Sequence, residues 1–313
     1  MQKCVPPFLI NKVMKTKTTN IFCLATMLVG SSLISCVQLN QSEMTQIEPL
    51  RVMSFNIRYG TANDKENHWR HRKMMVAETI HRFRPGLLGV QEALVFQIGF
   101  LDEQLEGYAR VGVGRDDGEE KGEYTAIYYR QDRFELKRSG HFWLSEKPNE
   151  PGSVSWDSSM TRMASWAVLH DRLSDRLVFV LNTHWDHVGK QARLESAALI
   201  REKLSKLAMG LPAVLLGDFN STEDSPQYAL MMGAETDLRL VDTYRAAHPV
   251  RKKAELTCHY FKGYMDGSRI DWVLVTGEFD VLDAGIERSA GQARKPSDHY
   301  PVWAVLTLKD KQD

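Results

Sequence analysis

The sequence predicts an α/β fold in which two mixed, mainly antiparallel β-sheets pack face to face with helices outside. Three observations carry that expectation. From residue 50 onward apolar runs of strand length recur along the chain; only two segments show clear helical periodicity; and several strands follow one another with no helix between them.

The elements can be read in order. LRVMSFNI (50–57) is the first strand. Residues 68–83 form an amphipathic helix that groups Met74, Met75, Ala77, Ile80 and Phe83, and Pro85 ends it because proline cannot continue a helix. GLLGVQE (86–92), EYTAIYYR (123–130), SWAVLHD (165–171) and RLVFVLNTH (176–184) alternate or are apolar throughout, as strands do. Residues 191–207 repeat Leu194, Ala197, Ile200, Leu204 and Leu207 at three- and four-residue spacing, the mark of a helix. PAVLLGDFN (212–220), RIDWVLV (269–275) and YPVWAVLTL (300–308) complete the strands.

Composition is that of a globular protein: 43% hydrophobic and 26% charged over 313 residues. Residues 1–35 hold Lys3, Lys12, Lys15 and Lys17 and no acid, and IFCLATMLVGSSLIS (21–35) carries no charge. That run is too short for a comfortable membrane span and suits the core of a signal peptide. It ends in LISC (33–36), which resembles the bacterial lipoprotein cleavage box, whose cysteine is lipidated. Residues 1–35 are therefore expected to be a lipoprotein-type signal peptide beginning at Met1 or Met14, 36–49 a polar tether, and 50–313 one domain. The expected location is the cell envelope of a bacterium, with the chain a monomer held to the membrane through lipidated Cys36. Without the leader, Lys+Arg falls from 40 to 36 against 40 Asp+Glu, a net charge of −4 and the wrong sign for a protein that tracks a duplex backbone. Cys258 is then the only unmodified cysteine, so stability must come from a packed core rather than disulfides.

Several strands end in chemically able residues: Asn56, Glu92, His184, Asp218 with Asn220, Asp271, and Asp298 with His299. One such ending is ordinary turn chemistry, but so many in one chain point to a site built at a sheet edge. VLNTHWDHVG (180–189) by itself is similar to the zinc-binding strand of metallo-β-lactamases, with Asn182 where a first histidine would stand. That reading leaves GDFN (217–220) and SDHYPV (297–302) unexplained.

The ordered set FNIRYG (55–60), GVQEA (89–93), NTHWDH (182–187), GDFN, RIDWV (269–273) and SDHYPV resembles the endonuclease/exonuclease/phosphatase superfamily from Arg51 to about Leu308. The resemblance implies the DNase I-like fold, a four-layer αββα sandwich, and metal-dependent hydrolysis of phosphate esters. It implies that Glu92 is the principal ligand of Mg²⁺ (or Mn²⁺), with Asn56 and Asp298 completing the shell. Asp218 would orient and deprotonate water, and Asn220 would hold the geometry. His299, held by Asp271, would donate to a phosphate oxygen. His184 would be a second imidazole paired with Glu123, and if it donates a proton while Asp218 accepts one, the rate should be bell-shaped in pH. Arg162 and Trp156 are candidates to grip substrate. Asp186 and His187 would either touch substrate or cap the helix that starts near Gly189.

The chain also departs from subgroups of the superfamily. Abasic-site endonucleases often carry Asn-x-Asp where Asn56-Ile-Arg58 stands, and the Cys-Asp-Arg signature of inositol phosphatases is replaced by Ser-Arg-Ile-Asp (268–271). The expected substrate is a small phosphorylated metabolite, nucleotide or phospholipid head group, walled by Trp143, Trp156, Trp166 and Trp185. The alternatives are a scavenging nuclease on DNA or RNA and a non-catalytic lipoprotein that binds a phosphorylated ligand.

Overall fold

A computed structural model describes residues 48–233, 238–288 and 294–310. The expectations for the signal peptide, Cys36 and most of the tether lie outside the described residues.

The strands are β1 (Leu50–Asn56), β2 (Leu87–Ala93), β3 (Tyr108–Val111), β4 (Tyr124–Arg130), β5 (Phe134–Trp143), β6 (Met163–Asp171), β7 (Arg176–His184), β8 (Ala213–Asp218), β9 (Leu240–Asp242), β10 (Asp271–Thr276), β11 (Phe279–Ile286) and β12 (Val302–Leu308). The helices are α1 (Trp69–Phe83), α2 (Val95–Gln104), α3 (Lys190–Ala208), α4 (Pro226–Met232) and α5 (Thr243–Ala247). The strands form two six-stranded sheets, ordered β11-β12-β1-β2-β4-β3 and β5-β6-β7-β8-β10-β9. Among the described strands, β1 with β2 and β7 with β8 pair in parallel; the remaining pairs are antiparallel.

Strand alternation explains why the layers form. Along β7, Val178 and Val180 join a core between the sheets, while Phe179 and Leu181 join a second core with Ala197, Ile200 and Leu204 of α3. Along β1, Leu50 and Val52 face the other sheet, while Met53 and Phe55 pack with Val76 and Ile80 of α1. Successive residues point to opposite faces, so strands apolar throughout are buried on both sides. Helix, sheet, sheet and helix make the expected four layers.

The inward face of each central strand is apolar at one end and polar at the other. It runs Leu50, Val52, Ser54, Asn56 on β1; Val178, Val180, Asn182, His184 on β7; Val214, Leu216, Asp218 on β8; and Val275, Val273, Asp271 back along β10. Registers align these polar ends: His184 pairs with Asp218, which pairs with Asp271. A polar layer lies beneath the site. Gln91 Nε2 donates to Ser54 Oγ (3.0 Å) and to Asn182 Oδ1 (2.6 Å), while Asn182 Nδ2 donates to the carbonyls of Val90 and Ala126, each at 2.9 Å. Gly89 makes room for this crossing, since a Cβ there would lie 2.8 Å from Asn182 Oδ1. Asn182 is thus a tie between the sheets.

Two helical faces differ from expectation. Met74 is 48% exposed, and the face of α1 is instead Trp69, Arg72, Val76, Ala77 and Ile80. Arg72 can sit there because its guanidinium donates to the carbonyls of Ile57, Arg58, Asn67 and Pro296. On α3, Leu194 faces outward, and Ala197, Ile200 and Leu204 form the stripe.

Candidate active site

The polar strand ends open into a cavity of about 300 Å³, lined by Glu92, Glu123, Arg162, His184, His187, Asp218, Asn220, Asp298 and His299 among others. Asn56 bridges the sheets at its floor: Nδ2 donates to Glu92 Oε1 and to Asp218 Oδ2, both at 3.0 Å. Strict alternation after Leu88 and Val90 would send Glu92 toward the helices. A bulge in the β2–β4 pairing between Val90 and Ala93, with Glu92 at φ 61°, turns it inward instead. Bulges re-aim side chains in this way beside active sites. Its other oxygen, Oε2, accepts from the Tyr59 amide at 3.0 Å. Arg58, Asn220 and Tyr260, which also line the cavity, share the left-handed backbone at φ 58°, 46° and 50°. Such conformations are costly for side chains other than glycine and cluster at functional sites.

His299 Nδ1 donates to Asp271 Oδ2 at 2.9 Å, and Nε2 lies 3.8 Å from Asp218 Oδ2. Burial alone would lower the affinity of His299 for its proton. The carboxylates of Asp271 and Asp218 outweigh that and hold the imidazole well above its ordinary 6.5. Burial, reinforced by the charge of Asp271, pushes Asp218 up to about 7. Glu92 is held below the usual carboxylate range: burial opposes ionisation, but the Asn56 amide, the His299 charge and the Tyr59 N–H prevail. Asp298, buried, is pushed up; Ser297 Oγ donates to it at 3.2 Å and Arg58 Nε stands 3.7 Å away. Asn220 Nδ2 donates to the Trp185 carbonyl at 3.0 Å, and its own amide donates to Asp218 Oδ1 at 3.0 Å, which fixes that carboxylate.

The two imidazoles are not equivalent. His184 Nε2 is 3.5 Å from Asp218 Oδ2, but burial and the charges of Arg162 and Arg115 hold its pKa well below 6.5. His184 is thus held neutral, with one ring N–H, and the charged imidazole is His299. Glu123 does not hydrogen-bond His184 either. It stands 3.7 Å from His184 Nδ1 and accepts from Arg115 at 2.8 and 2.9 Å.

The remaining candidates separate. Arg162, buried, reaches His187 Nδ1 with Nη2 at 3.0 Å and lies 3.6 Å from Asp186, and Nη1 makes no hydrogen bond among the described residues. Asp186 accepts from Ser159, Val188 and Gly189 and shapes the turn ahead of α3 without lining the cavity. The N-cap of α3 is Gly189, and its first-turn amides of Gln191 (3.2 Å) and Ala192 (2.7 Å) donate instead to the Asp157 carboxylate. No tryptophan lines the cavity. Trp143 and Trp185 are core, Trp166 stacks on Phe179, and Trp156 sits in a turn at φ 56°. The aromatic lining is Tyr59 and Tyr260, and with Arg58, Met160 and Cys258 these were not picked out from sequence as substrate contacts.

A divalent cation fits the donor set. Ligand atoms of Glu92, His184 and Asp218 lie within 4.8 Å of one another, and burial, with like charge nearby, raises Asp218 and Asp298, so positive charge is favoured there. Asp218, Asp271 and His299 also cluster within that distance, but there His299 already bonds Asp271.

With that geometry in place, the comparisons with known proteins are specific. The sequence profile of the Endonuclease/Exonuclease/phosphatase family matches residues 53–299, and the chain belongs to this family of phosphoesterase hydrolases, which act on phosphorylated substrates including nucleic acids and are generally dependent on divalent metals. Its sandwich is the DNase I-like fold. Among solved structures, an endonuclease/exonuclease/phosphatase from Bacteroides vulgatus is 36% identical, with a TM-score of 0.78, covering 83% of this chain and 99% of that one. A Bacteroides thetaiotaomicron mannosyl-6-phosphatase is also 36% identical, with a TM-score of 0.76 over 83% of this chain and 100% of that one. A protein of Acanthamoeba polyphaga mimivirus is 26% identical in an alignment 211 positions long that covers 56% of this chain and 31% of that protein. The chain spans between 31% and 40% of the length of the first curated relatives it matches.

Proposed function

We propose that the protein is a Mg²⁺-dependent phosphoesterase of small phosphorylated metabolites, with a sugar phosphate as the best-supported substrate. The observation that carries this reading is the hydrogen-bonded set Glu92–Asn56–Asp218 joined to Asp271–His299 on the floor of a cavity of about 300 Å³. That volume is at the low end for ligand pockets and suits a phosphate with one compact leaving group. The likeness to a mannosyl-6-phosphatase over 83% of the chain supports the same choice.

Glu92, with His184 and Asp218 beside it, would hold the cation, and Asn56 and Asp298 would complete its surroundings. The bound ion would neutralise charge that develops on phosphate oxygens. The protein's own residues do the rest. Asp218, fixed by the Asn220 amide and with its proton affinity set near neutrality, accepts the proton of the attacking water. His299, kept cationic by Asp271, donates from Nε2 to a non-bridging oxygen of the phosphate. Arg162 Nη1 is a second free donor on the wall, backed by His187. Glu123 and Arg115 hold the polar surroundings of His184.

The test is phosphate release from a panel of phosphomonoesters and phosphodiesters with Mg²⁺, and again with a chelator. Metal-dependent turnover that falls at least about 10²-fold in Glu92→Gln is expected. Folded protein without turnover on any substrate would favour a ligand-binding role instead.

A further inference from the structure

We propose that Tyr260 is the platform on which the leaving group packs, and that this group is a pyranose ring; the proposal rests on the phosphoesterase reading above. Tyr260 lines the catalytic cavity yet is 70% exposed, so its ring adds little to the core. The backbone beneath it is strained, with Tyr260 at φ 50° and Phe261 at φ 58°, two adjacent left-handed residues that are not glycine. Such a conformation persists only where the surroundings enforce it. A glycine or asparagine would hold the turn with less strain.

The surroundings are anchored to the catalytic segment. Cys258 bridges to His299, and the amides of His259 and Tyr260 both donate to the Asp298 carbonyl, at 2.7 and 3.2 Å. Lys262 N donates to His259 O at 2.8 Å and closes the turn. The ring is therefore held in register with the imidazole that meets the phosphate.

Tyr59, the other aromatic in the lining, has a face occupied by the Arg58 guanidinium at 4.6 Å. Among the described residues, no ring or cation stacks on Tyr260. A single open aromatic face beside polar groups matches a ring with one C–H face and hydroxyls around its edge. Among the described residues, the cavity lining offers no two parallel faces such as would clamp a nucleobase.

The experiment compares wild type, Tyr260→Ala and Tyr260→Phe on hexose 6-phosphate, glycerol 3-phosphate and adenosine monophosphate, with Mg²⁺ and with melting temperatures to establish folding. Tyr260→Ala should raise KM for hexose 6-phosphate about tenfold while kcat stays within about twofold, as expected for one lost ring contact. The loss of kcat/KM on glycerol 3-phosphate should be at least about threefold smaller, and Tyr260→Phe should restore the hexose value. Equal losses on both esters, or a larger loss on adenosine monophosphate than on the hexose, would overturn the platform while leaving the phosphoesterase reading intact. Absence of turnover by wild type on all of them would overturn both.

Discussion

Replacing Asn182 tests how the two sheets are tied beneath the site. The residue is fully buried, and its amide donates twice, to the Val90 and Ala126 carbonyls, while its oxygen accepts from Gln91. Asn182→Ala leaves two buried carbonyls without that donor, and Gln91 keeps only its bond to Ser54. At about 1–1.5 kcal/mol for each lost bond, with a small cavity added, the loss should be about 3–5 kcal/mol. That is a large part of the roughly 5–15 kcal/mol that holds a domain folded. Asn182→Asp is the sharper probe. The shape is kept, but a carboxylate then faces two carbonyls and has no charge partner, so this variant should be less stable than the alanine one. Urea denaturation of the three proteins, fitted with a shared m-value, reads both numbers. If Asn182→Ala loses less than about 1 kcal/mol, or Asn182→Asp is as stable as Asn182→Ala, the tie does not work as described.

Further outcomes follow from the same geometry. The rate should rise as pH passes about 7, where Asp218 loses its proton, and fall on the alkaline side as the His299 imidazolium loses its own; a profile still rising at alkaline pH would contradict the His299 role. Asp271→Asn should leave the fold intact, lower kcat by about 10²–10⁴-fold and move the alkaline limb downward, because the carboxylate that sustains the imidazolium charge is gone. Gly89→Ala should lose about 1–3 kcal/mol in a thermal melt, since the new methyl meets Asn182 Oδ1 at 2.8 Å and Leu216 Cβ at 2.9 Å.

Much of this site could be read from the chain because it lies on regular strands. Once β1, β7, β8 and β10 are assigned, alternation puts Asn56, His184, Asp218 and Asp271 on the faces that look inward, and the motif set supplies their order. Glu92 was named from its motif, but alternation alone would have pointed it at the helices; a bulge decides otherwise, and bulges have no reliable mark in one sequence. The tryptophans were misread for a related reason. Proximity in sequence to a catalytic strand says nothing of which face a ring takes, and Trp185 and Trp272 face the helix layer, where they pack with Phe219. Tyr260 carried no periodic signal, because its place comes from the bridge between Cys258 and His299, forty-one residues apart in the chain. The charge states of the imidazoles were likewise invisible: they depend on burial, joined by Arg162 and Arg115 at His184 and outweighed by Asp271 and Asp218 at His299.

The central claim, that this cavity hydrolyses a small phosphate ester rather than a nucleic acid, meets its most direct test in one competition. Hexose 6-phosphate and an oligonucleotide are offered together to the Mg²⁺-loaded protein at equal phosphate concentration and low salt, conditions that favour nucleic-acid binding. The ratio of their kcat/KM values should exceed about tenfold in favour of the hexose phosphate. Efficient cleavage of the oligonucleotide with the hexose phosphate untouched would contradict the account.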